Sequence, residues 1–268
     1  MVTGLNSAKL KLARAAKHLR AIKQCIAVYS AGQPHKIVAK ARGKKKLNIP
    51  KPPPRAICIL AGEMVYQMRS ALDHLAFNLV KINARGIILP EGWVENCDFP
   101  LKLRLPKDVC STPLAYKYFS DRLPGISEPA FAFIESVQPY YRVGAVNNCL
   151  RFLAGLSNID KHRHFNVFGT RVRKSESIRF ASGLRSKSTM ALDRGTNLHP
   201  VFGWNESDRA VHVHRRFRAF VNFNERGILG DAVTLPAEYL LELILEQINT
   251  LIVPAFERFI KNPRVASP

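Results

Sequence analysis

An unbroken helical period from Ile57 to Leu79 constrains this chain more than any other feature. Ile57, Ala61, Met64, Met68, Leu72, Leu75 and Leu79 recur at three- and four-residue steps, the apolar stripe of a helix with one face in a core. At about 100° per residue, Gln67, Ser70, His74 and Asn78 fall along one flank of the stripe, and Arg69 and Asp73 along the other. The helix therefore needs other helices against its apolar seam and polar neighbours at both edges. Pro50, Pro52, Pro53 and Pro54 stand just upstream and exclude helix there. Arg69 and Asp73 are four residues apart and form a helix-surface pair, worth about a few tenths of a kcal/mol if that is all they do.

The same period predicts helices over 7–30, 56–82, 147–166 and 236–260, with a basic, proline-rich connector over 33–55. Pro236 opens the last helix, and Pro254 should bend or restart it. In the connector, 36–40 reads as a short strand and Lys44, Lys45 and Lys46 as a solvated or phosphate-contacting loop. The proline-rich stretch 85–125 contains at most one short helix, near 114–119, and a further short helix is expected over 128–137. Between 167 and 224 the pattern turns to alternation, as in Val211-His212-Val213-His214 and Phe217 to Phe223, which predicts strands. The expected fold class is α+β: one domain over 1–268, mainly a helical bundle with a small antiparallel sheet.

Charge points to the partner. The chain has 41 Lys and Arg against 20 Asp and Glu, a formal charge of +21. Residues 1–62 contain no acidic residue, and fourteen of the basic ones lie there. So uneven a distribution suits a polyanion, with RNA expected ahead of DNA. Lys9, Arg14, His18, Arg20, Lys44, Lys45 and Lys46 are the candidate nucleic-acid contacts. The acid-free N-terminus also has the composition of a transit peptide, but Leu10, Leu12, Leu19 and Ile22 suit a helix that packs. Cys25, Cys58, Cys97, Cys110 and Cys149 are widely spaced without a C-x-x-C pair, as expected for reduced thiols in a cytoplasmic protein. No apolar run approaches the roughly 18 residues of a membrane span, so no membrane partner is expected.

A second polar knot, Asn158-Ile159-Asp160-Lys161-His162-Arg163-His164, ends the helix at 147–166. Asn158 stands four residues before His162 and Asp160 four before His164, so each imidazole has a partner that could fix its tautomer. Walker A, G-x-G-x-x-G and G-x-S-x-G patterns are absent, leaving P-loop, dinucleotide and serine-hydrolase chemistry unsupported. No cofactor is implied.

Leu10 to Leu19, Gly62-Glu63, Met68-Arg69-Ser70-Ala71-Leu72-Asp73-His74-Leu75-Ala76, Phe99-Pro100, Gln138-Pro139-Tyr140 and Leu156 to Arg163 together resemble a widespread bacterial family of uncharacterised proteins over about residues 7–260. That resemblance implies fold boundaries and no reaction. Arg69, four intervening residues and His74 also resemble the signature of the HEPN superfamily of helical nucleases and nucleotide-binding domains, although Ser70 stands where that superfamily usually has Asn, Asp or His. This resemblance implies a metal-independent ribonuclease completed by a second subunit, hence a homodimer. Arg69 would hold the scissile phosphate and His74 move the proton of a 2′-hydroxyl, with Asp73, Asp160, His162 and Arg163 as further catalytic candidates. Two alternatives remain open. One is a bundle metal site drawn from His18, Asp73, His74, Asp160 and His162; the other is a non-catalytic nucleic-acid-binding protein whose Arg, His and Asp residues form a structural network.

Overall fold

The computed structural model describes residues 4–32, 36–39, 45–48, 53–84, 88–103, 119, 121–141, 144–162, 167–168, 172–180, 185–191, 210–219, 221–223 and 235–261, and of the strands before residue 221 it describes the backbone only. The protein is mostly helical. Helix α1 spans Gly4–Ala31, α2 Arg55–Asn83, α3 Trp93–Asn96, α4 Glu128–Ser136 and α5 Ala145–His162. Helix α6 covers Ala237–Gln247 and α7 Val253–Lys261, with a π-helical turn over Ile248–Ile252 between them.

Helices α1 and α2 run antiparallel along most of their length, which brings Ser7 to His74 and His18 to Glu63. On the other side α2 meets α5 and α7, and α6 closes the bundle against α1 and α5. The apolar stripe of α2 behaves as its period requires: Ile57, Met64, Met68, Leu72, Leu75 and Leu79 are all fully buried. They share one core with Leu12, Leu19 and Ile22 of α1, Leu150, Leu153 and Leu156 of α5, and Leu240, Ile244 and Phe256 of α6 and α7. Removing this much apolar surface from water is the main favourable term in the fold.

The restart expected at Pro254 is observed, and other expectations need correction. The last helix is split ahead of Pro254, because a proline has no N–H to donate and its ring crowds the carbonyl four residues back; the π turn widens the helix there and Pro254 falls in the first turn of α7. The segment Ala237–Lys261 is longer and more apolar than expected: by length and composition alone its 25 residues could cross a membrane, and half of its apolar stretch is buried inside the protein. Lys45 and Lys46 do not sit in a loop: strand β2 (Lys45–Asn48) pairs antiparallel with β1 (Lys36–Ala39), placing Lys36 opposite Asn48. Helix α5 is described as far as His162, residues 163–166 of the expected helix lie outside the described residues, and so does the region expected to hold a helix near 114–119 apart from Phe119.

Further along, β4 (Val172–Phe180) forms antiparallel ladders with β5 (Arg185–Ala191) and with β6 (Ala210–Ala219), the second broken by an irregularity between Arg179 and Phe180. The alternating stretches around Val211 and Phe217 are thus one strand as far as Ala219. A two-residue ladder joins β3 (Val167–Phe168) to β7 (Asn222–Phe223). Val221 and Phe223 are buried in the helical core, and Ala237 N donates to Val221 O at 2.7 Å, which ties the start of α6 to this segment.

Candidate functional site

The two polar edges of α2 open onto two separate cavities. Arg69 stands on the edge facing α5 and the 98–102 segment. Its Nη2 lies 3.1 Å from Asp73 Oδ1 and 3.2 Å from Asp98 Oδ2, and the other oxygen of Asp98 accepts from Arg122. Asp73 Oδ1 also accepts from Phe99 N at 3.0 Å. Burial pushes the Asp73 carboxyl above its ordinary range, against the pull of Arg69 and of the Phe99 N–H. A cavity of about 180 Å³ opens beside this network, lined by Arg69, Asp98, Lys102, Arg122, Asn158 and Lys161 among others.

Four cations therefore converge on a space with Asp98 as the one carboxylate among its described lining residues. The crowding has a physical sign: burial lowers the Lys102 ammonium below the usual lysine range, the neighbouring Arg122 lowers it further, and Asp98 opposes both. Such a cavity is suited to an oxyanion, which guanidinium forks bind through paired N–H donors. Burial, and then Asp98 and Asp73, raise the thiol of Cys97 beside it to about 12, which disfavours the thiolate.

Gln138 fixes the 98–102 segment in place. It is fully buried, and its Nε2 donates to Pro100 O and Ile134 O, both at 2.9 Å, while Lys102 N donates to its Oε1 at 3.2 Å. Asn147 at the start of α5 donates to Gln138 O at 2.9 Å and Ser136 O at 2.8 Å. A buried amide with its hydrogen bonds made is a positional clamp, and it joins the Phe99-Pro100 and Gln138-Pro139-Tyr140 motifs in one structural role.

The other edge of α2 faces α1. His18, buried on α1, places Nδ1 3.2 Å from Glu63 Oε2. Arg14, His18, Glu63, Tyr66, Gln67 and Asp160 contribute to a cavity of about 440 Å³ between α1, α2 and the end of α5. Gly62 leaves room here for the Asp160 carboxylate, which a β-carbon at that position would displace. Beyond this cavity, toward the end of α2, His74 Nδ1 lies 2.7 Å from Ser7 Oγ. Burial lowers the His74 pKa, with a smaller contribution from Lys11.

The structure thus brings Arg69 to Asp73 and separates both from His74, which serves the opposite edge. Asp160 joins the His18 and Glu63 cavity, His162 is exposed at the end of α5, and Arg163 lies outside the described residues. Of the expected nucleic-acid contacts, Lys9 pairs with Glu257 at 2.5 Å, Arg14 lines the larger cavity, His18 is buried and Arg20 is exposed. Lys44 lies outside the described residues, and the side chains of Lys45 and Lys46 are not described. Among the described residues no group of three His, Cys, Asp or Glu side chains could hold a metal ion: of the metal alternative's residues His18 and Asp160 share the larger cavity, while Asp73 and His74 lie on opposite edges of α2. Asp98, Lys102, Arg122 and Lys161 were not legible as site residues, since three of them come from the proline-rich stretch that carries no periodic signal. No protein-family profile, curated protein or solved structure matches this chain.

Proposed function

We propose that this is a nucleic-acid-binding protein, a single α+β domain whose antiparallel strands accompany the helical bundle, and that a backbone phosphate of RNA is held at the Arg69, Lys102, Arg122 and Lys161 cavity. The observation that carries the reading is the convergence of these four cations on one cavity lined by a single described carboxylate. The basic N-terminal segment supplies the wider field: Lys17 and Arg20 are exposed on α1, and fourteen basic residues without an acid precede Glu63. Lys9 and Lys23 are partly neutralised by Glu257 and Glu242, so the field of α1 is weaker than its composition suggests and the cavity becomes the stronger anchor.

Catalysis is not part of this reading. Within one chain Arg69 and His74 face different neighbours, and a HEPN-like dyad would require the Arg69 of one copy to meet the His74 of another. The test of binding is a titration of single-stranded RNA over a range of salt concentrations. The logarithm of affinity should fall linearly with that of salt, with a slope of about −0.7 per phosphate neutralised. A flat dependence, or no retention on heparin at low salt, would overturn the proposal. Cleavage of the same RNA in chelator, lost in His74→Ala, would restore the nuclease reading.

A further inference from the structure

The larger cavity has a different chemistry from the cationic one. It presents carboxylates at its wall, from Glu63 and Asp160, with Gln67 beside them and an aromatic ring at its mouth. Tyr66 is 60% exposed, and Lys11 Nζ stands 5.9 Å from its ring centroid. Arg14 lies one turn further along α1. The volume of about 440 Å³ is within the range of about 300–1,000 Å³ typical of small-ligand sites, enough for a nucleoside and too small for a duplex.

We propose that this cavity takes a guanine base from single-stranded RNA, with the Glu63 carboxylate reading its Watson–Crick edge and Tyr66 stacking on its face. The proposal rests on the nucleic-acid reading above and adds the base that the protein selects. Guanine is the RNA base whose Watson–Crick edge carries two adjacent donors, N1–H and N2–H, and these match the two oxygens of a carboxylate. Adenine and cytosine set a donor beside an acceptor, and uracil flanks its single donor with carbonyl oxygens that a carboxylate repels.

Glu63 is positioned for this role. His18 holds one oxygen from a buried site on the neighbouring helix, and a carboxylate has lone pairs enough to keep that contact while accepting two more. Asp160 can lie beside it only because residue 62 is glycine. Tyr66 supplies the stacking surface that recognition of an unpaired base requires. Lys11 and Arg14 at the mouth suit the sugar-phosphate that follows the base, and their charge opposes the simple cationic ligand that two carboxylates alone would attract.

The test uses the full chain and labelled pentanucleotides of uridine with one central guanosine, adenosine or inosine, followed by fluorescence anisotropy at low salt. Guanosine should bind about tenfold or more tightly than adenosine, the discrimination expected of one bidentate pair. Inosine, which lacks the N2 amine, should fall between them. Glu63→Gln should bring guanosine to within about twofold of adenosine, because an amide offers one acceptor where the carboxylate offers two. Tyr66→Ala should weaken all three alike, as loss of a sequence-tolerant stacking platform does. Equal affinities for guanosine and adenosine in the unaltered protein overturn the proposal, as does a preference that survives in Glu63→Gln. The three-way comparison in the unaltered protein decides the matter even if a variant fails to fold. Failure of every pentanucleotide to bind would sink the nucleic-acid reading itself, a result distinct from loss of preference.

Discussion

The two edges of α2 carry similar numbers of polar groups and use them in opposite ways. On the Arg69 edge, guanidinium and carboxylate groups pair with one another and still leave cations around a cavity: Arg69 is shared between Asp73 and Asp98, while Lys102 and Lys161 face the same space. On the other edge Glu63 is held by His18 and His74 by Ser7, so carboxylate and imidazole groups are oriented individually by α1. One helix can therefore present an anion-attracting wall and a hydrogen-bonding wall at once. Its buried seam keeps them apart.

The sharpest way to break the comparison is to disable one edge through its support. Gln138→Ala removes two buried hydrogen bonds and one part-buried one, and frees the 98–102 segment from its clamp on Ile134. The expected destabilisation is about 3 kcal/mol, at roughly 1 kcal/mol for each bond, read as a fall in the denaturation midpoint. Salt-dependent RNA affinity should fall with it, because Lys102 and Asp98 lose their fixed positions, while guanosine preference per bound complex is retained. Equal loss of both properties would mean that the two cavities are not independent.

Arg69→Met comes next. It leaves Asp73, whose carboxyl burial already disfavours, without its principal cation, and removes one of the ion pairs of Asp98. A cost of about 2 kcal/mol is expected, less than for a fully buried pair because Arg69 keeps 17% of its side chain exposed. The slope of log affinity against log salt should shrink by about 0.7, one phosphate contact on a single strand. An unchanged slope would remove Arg69 from the binding surface.

These two substitutions also show what a sequence can carry. The seam of α2 was legible because burial repeats along a helix at a fixed period, and Met64, Met68 and Leu72 obey it. The i,i+4 pairing of Arg69 and Asp73 follows from the same geometry. Asp98 was not legible: it reaches Arg69 across 29 positions through a segment without period, and no local rule sets where such a segment docks. Glu63 was visible in the stretch around the seam, but its partner lies on another helix; the three- and four-residue steps Ala15, His18 and Ile22 do put His18 on the buried face of α1, whereas its pairing with Glu63 depends on how the two helices dock. Charge patterning places Lys45 in a solvated or phosphate-contacting loop and says nothing about the backbone pairing it makes with Ala39.

Gly62→Ala should have a smaller effect on stability. Alanine in a helix gains up to about 1 kcal/mol over glycine, but the new β-carbon would displace the Asp160 carboxylate. Because Asp160 is exposed at the end of α5, it can swing aside, and the net change in stability should stay within about 1 kcal/mol. Guanosine preference should weaken while the salt slope keeps its value. A melting temperature far below that of the unaltered protein would show that Asp160 is held more firmly than its exposure implies.

The smallest expected effect separates the edges by pH. Burial, and then Lys11, hold the His74 pKa below 6.5 in the folded protein, whereas the unfolded chain titrates near the ordinary value of about 6.5. The unfolded state then binds more protons between those two values, so His74 contributes stability in full above about 6.5, and this is lost as pH falls through the window. Asp73 and Glu238 act with the opposite sign, since their carboxyls are raised by burial and each loses stability as pH rises through the range above its unfolded pKa. Comparing the unaltered protein with His74→Gln cancels their contribution, and acidification from pH 7.5 to 5.5 should lower the melting temperature less in the variant. Lys11→Met should shift the His74 titration upward, observed directly by NMR of the imidazole ring protons, because it removes the nearby positive charge. A His74 that titrates at or above 6.5 in the folded protein would overturn the assignment and return this edge of α2 to solvent.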